Sequence, residues 1–352
     1  MLIRNFGVLT LMNALLACPS MAKDSSNLIE FENEADHRAE YAAPVTIRLN
    51  DGQLVTRYRY QTDGVGGVAH NTVQDRILFD VSVLFFDGKV RLDIEGSTGT
   101  TFDGSFNGTG LGTGDPVVAA YLRRLSIALS PLSGLELSLG SMAPVYGAGT
   151  ENSSFDADAY IVGYRAKVAL DKGDIVVTTG YVGDFENPNV FDRFTRMDEA
   201  NYLQLIITRS IGDLVKTSLE YSILDGDDYA RGAVKIDVSK WVSFVDAVTF
   251  EDMTRLDQDD LATVFAARIS KRFAGLVKGR DLNVDLSYVY RSDEMDLKIG
   301  DKVFLGHQVR ATLACPNVAK IGPAKLGIYI DVIESLSDFD LFRGETGLML
   351  KF

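Results

Sequence analysis

Cysteine and tryptophan are almost missing from this 352-residue chain, with two of the first and one of the second. Cys18 lies in the N-terminal apolar run and Cys315 far from it, so once Cys18 leaves with that run no intrachain disulfide remains and a disulfide-stapled secreted module is excluded. Histidine is nearly as scarce. His37, His70 and His307 stand alone, with no nucleophile-and-base motif of the kind a hydrolase needs. Long apolar runs are lacking as well. Residues 6–17 form one, shorter than the roughly 20 residues of a spanning helix, and no second follows, which excludes a helical membrane protein. Positive charge is in deficit, 35 Lys and Arg against 49 Asp and Glu, for a net charge of −14 that becomes −15 once Arg4 is removed with the leader. A nucleic-acid binder normally carries the opposite footprint. The glycine-rich run 108–114 does not match G-x-G-x-x-G and no helix follows it, so it reads as a loop and not a phosphate cradle.

At the N-terminus, Arg4, the apolar run and the small residues Ser20-Met21-Ala22 predict a secretory signal over 1–22. Cys18 follows Leu15-Leu16-Ala17, a loose lipoprotein box, so its lipidation stands as the alternative to cleavage before Lys23. Residues 23–44 carry charge without alternation and are expected to be a flexible acidic periplasmic leader, with a plug as the other reading.

What the chain has in quantity is period-two alternation from Val45 onward. Thr56, Tyr58 and Tyr60 oppose Val55, Arg57 and Arg59; Ile77, Phe79, Val81 and Val83 oppose Arg76, Asp80 and Ser82. Val90, Leu92 and Ile94 oppose Arg91, Asp93 and Glu95, and Leu135, Leu137 and Leu139 oppose Glu136 and Ser138. Each apolar face has a polar or small reverse face, the pattern of a strand with grease on one side and water on the other. With 32 glycines, 14 tyrosines and 19 phenylalanines, this suits many strands, tight turns and aromatic girdles.

The connections alternate in length. Short turns are expected near 87–88, 131–134, 171–173, 211–213, 239–240, 274–279 and 316–323. Longer polar stretches are expected at 63–74, 96–116, 143–157, 183–199, 251–260, 291–301 and 334–343, with 225–228 short on that side. The fold class is therefore all-β: a transmembrane antiparallel up-and-down barrel of about sixteen strands, fourteen to eighteen being admissible, over 45–352. Short periplasmic turns line one rim and long extracellular loops the other. Asn50-Asp51-Gly52 is either a turn or a bulge within the first strand region. Arg123 shares the parity of Leu125, so it either snorkels at the rim or marks a bulge.

The last stretch, Gly344 to Phe352, alternates Thr346, Leu348, Leu350 and Phe352 against Gly347, Met349 and Lys351. It resembles the assembly signal of bacterial outer-membrane barrels, which implies that Leu348, Leu350 and Phe352 are read by the barrel-assembly machinery. With the signal and the strand pattern, the whole body resembles the Gram-negative general diffusion porins. Gly140 to Gly147, G-S-M-A-P-V-Y-G, is similar to the exit of their fifth strand into a third loop that folds inward. The resemblance implies an outer-membrane location, contact with lipopolysaccharide and outer-membrane lipid, passage of small hydrophilic solutes, a homotrimer and no cofactor.

Arg57, Arg59, Arg76, Arg91, Arg124 and Arg165 all fall on the polar face of the first six strands. An arginine at the bilayer midplane costs about 2–4 kcal/mol, so this face must be wet. They are expected to form a pore-lining basic wall opposite Glu151, Asp156 and Asp158 of a constriction loop, or else to pair with Asp80, Asp93 or Glu95. Asp225, Asp227 and Asp228, and Asp257, Asp259 and Asp260, lack the spacing of a calcium loop and read as solvated loop charge. No metal or catalytic residue is predicted, and no nucleic-acid partner. The expected function is passive diffusion of ions and small hydrophilic solutes. A plugged or substrate-selective transporter, and a closed barrel with a loop-borne adhesin or enzyme activity, are the alternatives.

Overall fold

The computed structural model describes residues 45–62, 67–100, 105–150, 153, 160–183, 189–257, 262–277, 280–295, 303–337 and 341–352. The predicted signal, leader and loop acids Glu151, Asp156 and Asp158 lie outside the described residues. The strands are β1 (Thr46–Thr62), β2 (Val68–Phe85), β3 (Val90–Thr98), β4 (Asn107–Gly112), β5 (Ala120–Leu132), β6 (Leu135–Met142), β7 (Ile161–Leu170), β8 (Gly173–Tyr181) and β9 (Tyr202–Ile211). They continue as β10 (Val215–Leu224), β11 (Asp227–Asp237), β12 (Ala247–Arg255), β13 (Thr263–Val277), β14 (Arg280–Arg291), β15 (Gly306–Ile321), β16 (Ala324–Ser335) and β17 (Phe342–Lys351). One short helix, α1 (Val190–Phe194), sits between β8 and β9 and is capped by the Asn189 side chain.

Sixteen of these strands form a closed antiparallel barrel. β4 is the exception. The short β3 pairs only with residues 78–85 of β2, and β4 folds back to pair with Thr72, Gln74 and Asp75 above it. β17 closes the barrel on β1, with Tyr58 opposite Thr346 and Arg59 opposite Glu345. In lipid no backbone group has water to bond, so closure is what satisfies both edges.

Alternation sorts the side chains as the sequence pattern requires. Leu54, Ile77, Phe79, Ile127, Leu139, Leu219, Phe250, Leu286, Ile328 and Leu348 are exposed on the outside, whereas Arg57, Gln204, Ser218, Glu220, Arg231, Glu251, Gln308 and Glu345 are buried within. The outer band is a lipid-facing surface. His307 is on it too, its ring beside Tyr290 and its Nδ1 2.5 Å from the Tyr288 hydroxyl, an arrangement typical of an interfacial aromatic girdle.

Both open register questions resolve as bulges. β1 runs straight through Asn50, the ladder on β2 stepping from Leu49 to Asp51. Between β3 and β5 it steps from Arg124 to Leu122, so Arg123 is the extra residue; it turns inward, 2 % exposed, to meet Glu95 at 3.2 Å. Some connections differ from expectation. The turn expected at 316–323 is only Gly322-Pro323, because β15 continues to Ile321. Pro316, which has no N–H to give a ladder, sits at a register irregularity between Cys315 and Ala319. The connection near Ser239 spans 238–246, longer than a tight turn. The loops expected at 63–74 and 251–260 are shorter, because β2 starts at Val68 and β12 runs to Arg255. Their polar ends rise past the apolar band, which erased the alternation there.

Gly140, Gly163 and Gly180 are cross-strand partners on β6, β7 and β8, and Gly180 faces Tyr202. A Cβ on Gly163 would collide with the backbone of Thr179 and Gly180. Gly163→Val is expected to destabilise the barrel by about 1–3 kcal/mol, seen as a lower temperature for the shift to the unfolded electrophoretic band. At the loop rim, Arg255 holds Asp257 at 2.8 Å and Asp227 at 2.8 Å. The hydrogen bond from Arg255 brings the Asp257 carboxyl down to about 2. Because that value is lowered, the clamp is in place above about pH 4 and is lost as pH falls toward 2. Carboxyl NMR titration of Arg255→Ala should return Asp257 to its ordinary range.

Candidate functional site: the lumen and its inward loop

The chain leaving β6 turns into the barrel and lies along the inner wall of β9 to β12. Gln204 on β9 donates to the Val145 carbonyl at 3.2 Å, and the Ser218 hydroxyl on β10 donates to that of Ala148 at 2.8 Å. Gly147 packs on Ser218, where a Cβ would not fit, and Gly149 lies at positive φ against Thr249 and Ala233. The Ser153 amide donates to Glu251 on β12 at 2.8 Å, and its hydroxyl also bonds that carboxylate. Where the loop leaves β6, Arg165 of the neighbouring β7 donates to the Ala143 carbonyl at 2.5 Å. The far end is fixed as well. Tyr160 is fully buried, bonds the Gly183 carbonyl, and lies under Arg193 of α1, whose guanidinium is 4.0 Å from the ring centroid. Arg193 donates to the Arg123 carbonyl at 2.7 Å, and burial brings its side chain down to about 10.

Above this loop the lumen is dry on one side. Ile161, Tyr202, Leu224, Tyr229, Met253, Val264 and Val289 point in from the loop ends of β7 and β9 to β14. They pack with Tyr146, Val182, Met295 and Val303 of the connections. Arg231 and Glu220 form an ion pair at 3.3 Å, each side chain 1 % exposed. Burying such a pair is costly unless geometry and hydrogen bonds compensate. Sequence reasoning missed Gln204, Ser218, Glu251 and this apolar sector. The signal available was Tyr202-Leu203-Gln204-Leu205-Ile206-Ile207, apolar on both faces where a wet lining would be polar on one.

A charged cavity lies among β1 to β7. A cavity of about 370 Å³ is lined by Arg48 and Asn50 of β1, Asp80 and Ser82 of β2, Arg91, Asp93 and Glu95 of β3, and Arg124 of β5. Glu136 and Ser138 of β6 and Arg165 of β7 also line it, with Ile94, Ser126, Ser141, Met142 and Ala143. Its charges balance, four arginines against four carboxylates, and they are interlaced. Arg91 bonds Asp93 and Glu136 at 2.8 Å each, Arg124 bonds Glu95, and Asn50 bridges Arg48 to Asp80 and Ser82. The six predicted arginines thus all lie on the lumenal face but in two groups. Arg91, Arg124 and Arg165 line this cavity. Arg57, Arg59 and Arg76 sit nearer the loop rim, around Glu345 and the Phe106 ring. Leu348 and Leu350 share the outer face of β17, and just beyond its end the Phe352 amide still bonds the Gly52 carbonyl at 2.9 Å. Among the described residues no group of three or more His, Cys, Asp or Glu is placed to hold a metal ion.

No protein-family model matches the sequence, and no curated protein matches it. Solved structures do. OmpF of Salmonella typhi superposes with a TM-score of 0.56 at 10 % identity, over 87 % of this chain and 98 % of its own. An anion-selective porin from Comamonas acidovorans gives 0.51 at 8 %, over 88 % and 99 %. OccK5 of Pseudomonas aeruginosa gives 0.50 at 13 %, over 86 % and 97 %. This chain has the porin fold.

The loop's position should depend on Glu251. Hydrogen bonds to a charged group contribute about 1.5–3 kcal/mol. Glu251→Ala is expected to release the loop at Ser153 and raise amide hydrogen exchange of Ser153 by about tenfold or more, in a barrel that keeps its folded electrophoretic band.

Proposed function

We propose that the protein is an outer-membrane porin, a water-filled channel for passive diffusion of ions and small hydrophilic solutes. The observation that carries this reading is the polar cavity left open between the inward loop and the wall of β1 to β7. In such a channel a solute trades part of its hydration for the guanidinium and carboxylate groups of the lining, which bind weakly enough to release it. Arg91, Arg124 and Arg165 are the cationic lining at the narrow part, with Glu151, Asp156 and Asp158 as loop acids opposite. Residues 1–22 act as the export signal, and 23–44 as a periplasmic leader preceding the barrel at 45–352. Leu348, Leu350 and Phe352 are recognised by the barrel-assembly machinery. Lipopolysaccharide and outer-membrane lipid surround the barrel, and the working assembly is a homotrimer. No chemical turnover belongs to this function.

A second reading, a substrate-selective channel, draws on the dry sector that fills the lumen under the β9 to β14 loops. It differs in expecting a small conductance that a preferred solute saturates. Reconstituted residues 23–352 in a planar bilayer should give stepwise conductance that rises in proportion to KCl concentration. Arg91→Ala should shift the reversal potential toward cation preference, since it removes one of the four positive charges of the balanced lining. A correctly folded barrel without steps would refute the channel.

A further inference from the structure

β17 covers β1 only as far down as Gln53, which stands opposite Lys351, and the Phe352 amide bonds the Gly52 carbonyl just below. From Thr46 to Asp51, β1 pairs with β2 alone among the described residues, so the edge it turns toward β17 is open there. The outer side of this edge is apolar. Ile47 stands opposite Val83 and Leu49 opposite Val81, and both Ile47 and Leu49 are exposed like the rest of the lipid-facing band. Amides and carbonyls left unpaired beside lipid are costly, because nothing there takes their hydrogen bonds. The inner side is basic. Arg48 bonds the Asn50 side chain and reaches no carboxylate among the described residues, while Asp51 takes a bond from the Gln53 amide. Lys351 of β17 is the ladder partner of Lys325 of β16, which is in turn the partner of Lys320 of β15. Like charges directly opposite one another destabilise a sheet. None of the three lysines reaches a carboxylate, that of Phe352 included, within ion-pair distance among the described residues.

We infer that the open edge of β1 is a docking surface for the chain's own acidic leader, whose residues 29–36 add to it as a short antiparallel strand. Residues 23–44 carry six acids against two cations, the complement of the basic inner side. The leader as a whole lacks the alternation of a strand. Within it, however, Glu30, Glu32, Glu34 and Asp36 occupy every second position, against Ile29, Phe31, Asn33 and Ala35. In an extended chain the four carboxylates share one side and the mostly apolar residues the other. Those two sides match the two sides of the edge. The nine residues 37–45 leave room for the chain to reverse, and with Asp36 opposite Thr46, Glu34 falls opposite Arg48 and Asn33 opposite Leu49. Glu30 and Glu32 then lie toward the three lysines, and Phe31 and Ala35 toward lipid. Because the leader joins β1 directly, docking is intramolecular, at an effective concentration on the order of millimolar. The added strand closes the last backbone edge and neutralises the lysine row in one step.

This inference rests on residues 23–44 staying on the exported protein as a leader, which its intact mass reports first. A protein lacking them overturns the leader and the docking together. With the leader present, amide hydrogen exchange over 46–51 in the folded, reconstituted barrel should be slow. It should rise about tenfold or more in Asn33→Pro, which removes a ladder N–H without touching the barrel. Asn33→Cys combined with Leu49→Cys should form a disulfide within one chain under mild oxidation, since cross-strand partners stand within disulfide reach. Lys325→Gln combined with Lys351→Gln should raise exchange at the same amides severalfold; no change overturns the lysines as part of the surface. The folded electrophoretic band checks each variant. A retained leader that gives no disulfide, with exchange indifferent to Asn33→Pro, overturns the docking and leaves the channel standing. A disulfide that joins isotope-labelled to unlabelled chains in a mixture also overturns it, and gives the edge to a second copy.

Discussion

A strand in lipid must pair both of its edges, because no water is there to take an unpaired amide or carbonyl. Everything else in this molecule follows from how sixteen strands meet that demand by closing on themselves. Closure puts β17 against β1, and the seam is held on two sides at once. Backbone bonds run from Gln53–Lys351 to Gln61–Arg343, and inside the lumen Arg57 and Arg59 of one strand share Glu345 of the other. Once the ring is closed, period-two alternation can only mean lipid outside and lumen inside. The bulges at Asn50 and Arg123 preserve that sorting where the chain slips by a residue.

The lumen is organised by a second demand, that polar backbone brought indoors must find partners. The loop after β6 carries its own carbonyls into the barrel, and Gln204, Ser218 and Arg165 answer them one by one. Gln204 and Ser218 lie on β9 and β10, and Glu251 of β12 takes the Ser153 amide, so the loop follows that wall. The arginine-and-carboxylate lining of β1 to β7 faces a cavity beside it. Its ion pairs are partly solvated, so they stabilise the wall only modestly, and their main effect is to fix where charge stands along the path.

The barrel was legible in the sequence because its outer face is chemically uniform. Ile77-Phe79-Val81 or Leu135-Leu137-Leu139 repeats the same signal, and lipid selects it in every strand. The six lumenal arginines were legible by parity from the same pattern. Their grouping was not. Whether Arg91 meets Asp93 or Glu136 depends on which strands are neighbours and at what height, and Arg57 finds Glu345 across 288 positions of chain. Gln204, Ser218 and Glu251 look like any solvated polar residue until a distant loop arrives to bond them. The short β4 and α1 carry too few residues for any period to register.

The dry sector under the loops has a consequence for the order in which the protein is made. Tyr202 of β9 stands several strands away from Val264 and Val289 of the β13–β14 pair, so they approach only once the sheet has curved, and Tyr146, Met295 and Val303 come from connections that must then fall inward onto them. Lipid cannot drive this step, since the surfaces involved never touch it; expulsion of water from the newly enclosed lumen does. The barrel therefore matures twice, first as a wide ring drawn together by its bilayer, then as a narrowed vessel packed from within like a soluble protein. Its bore is set last, by the part of the chain that the membrane does not see.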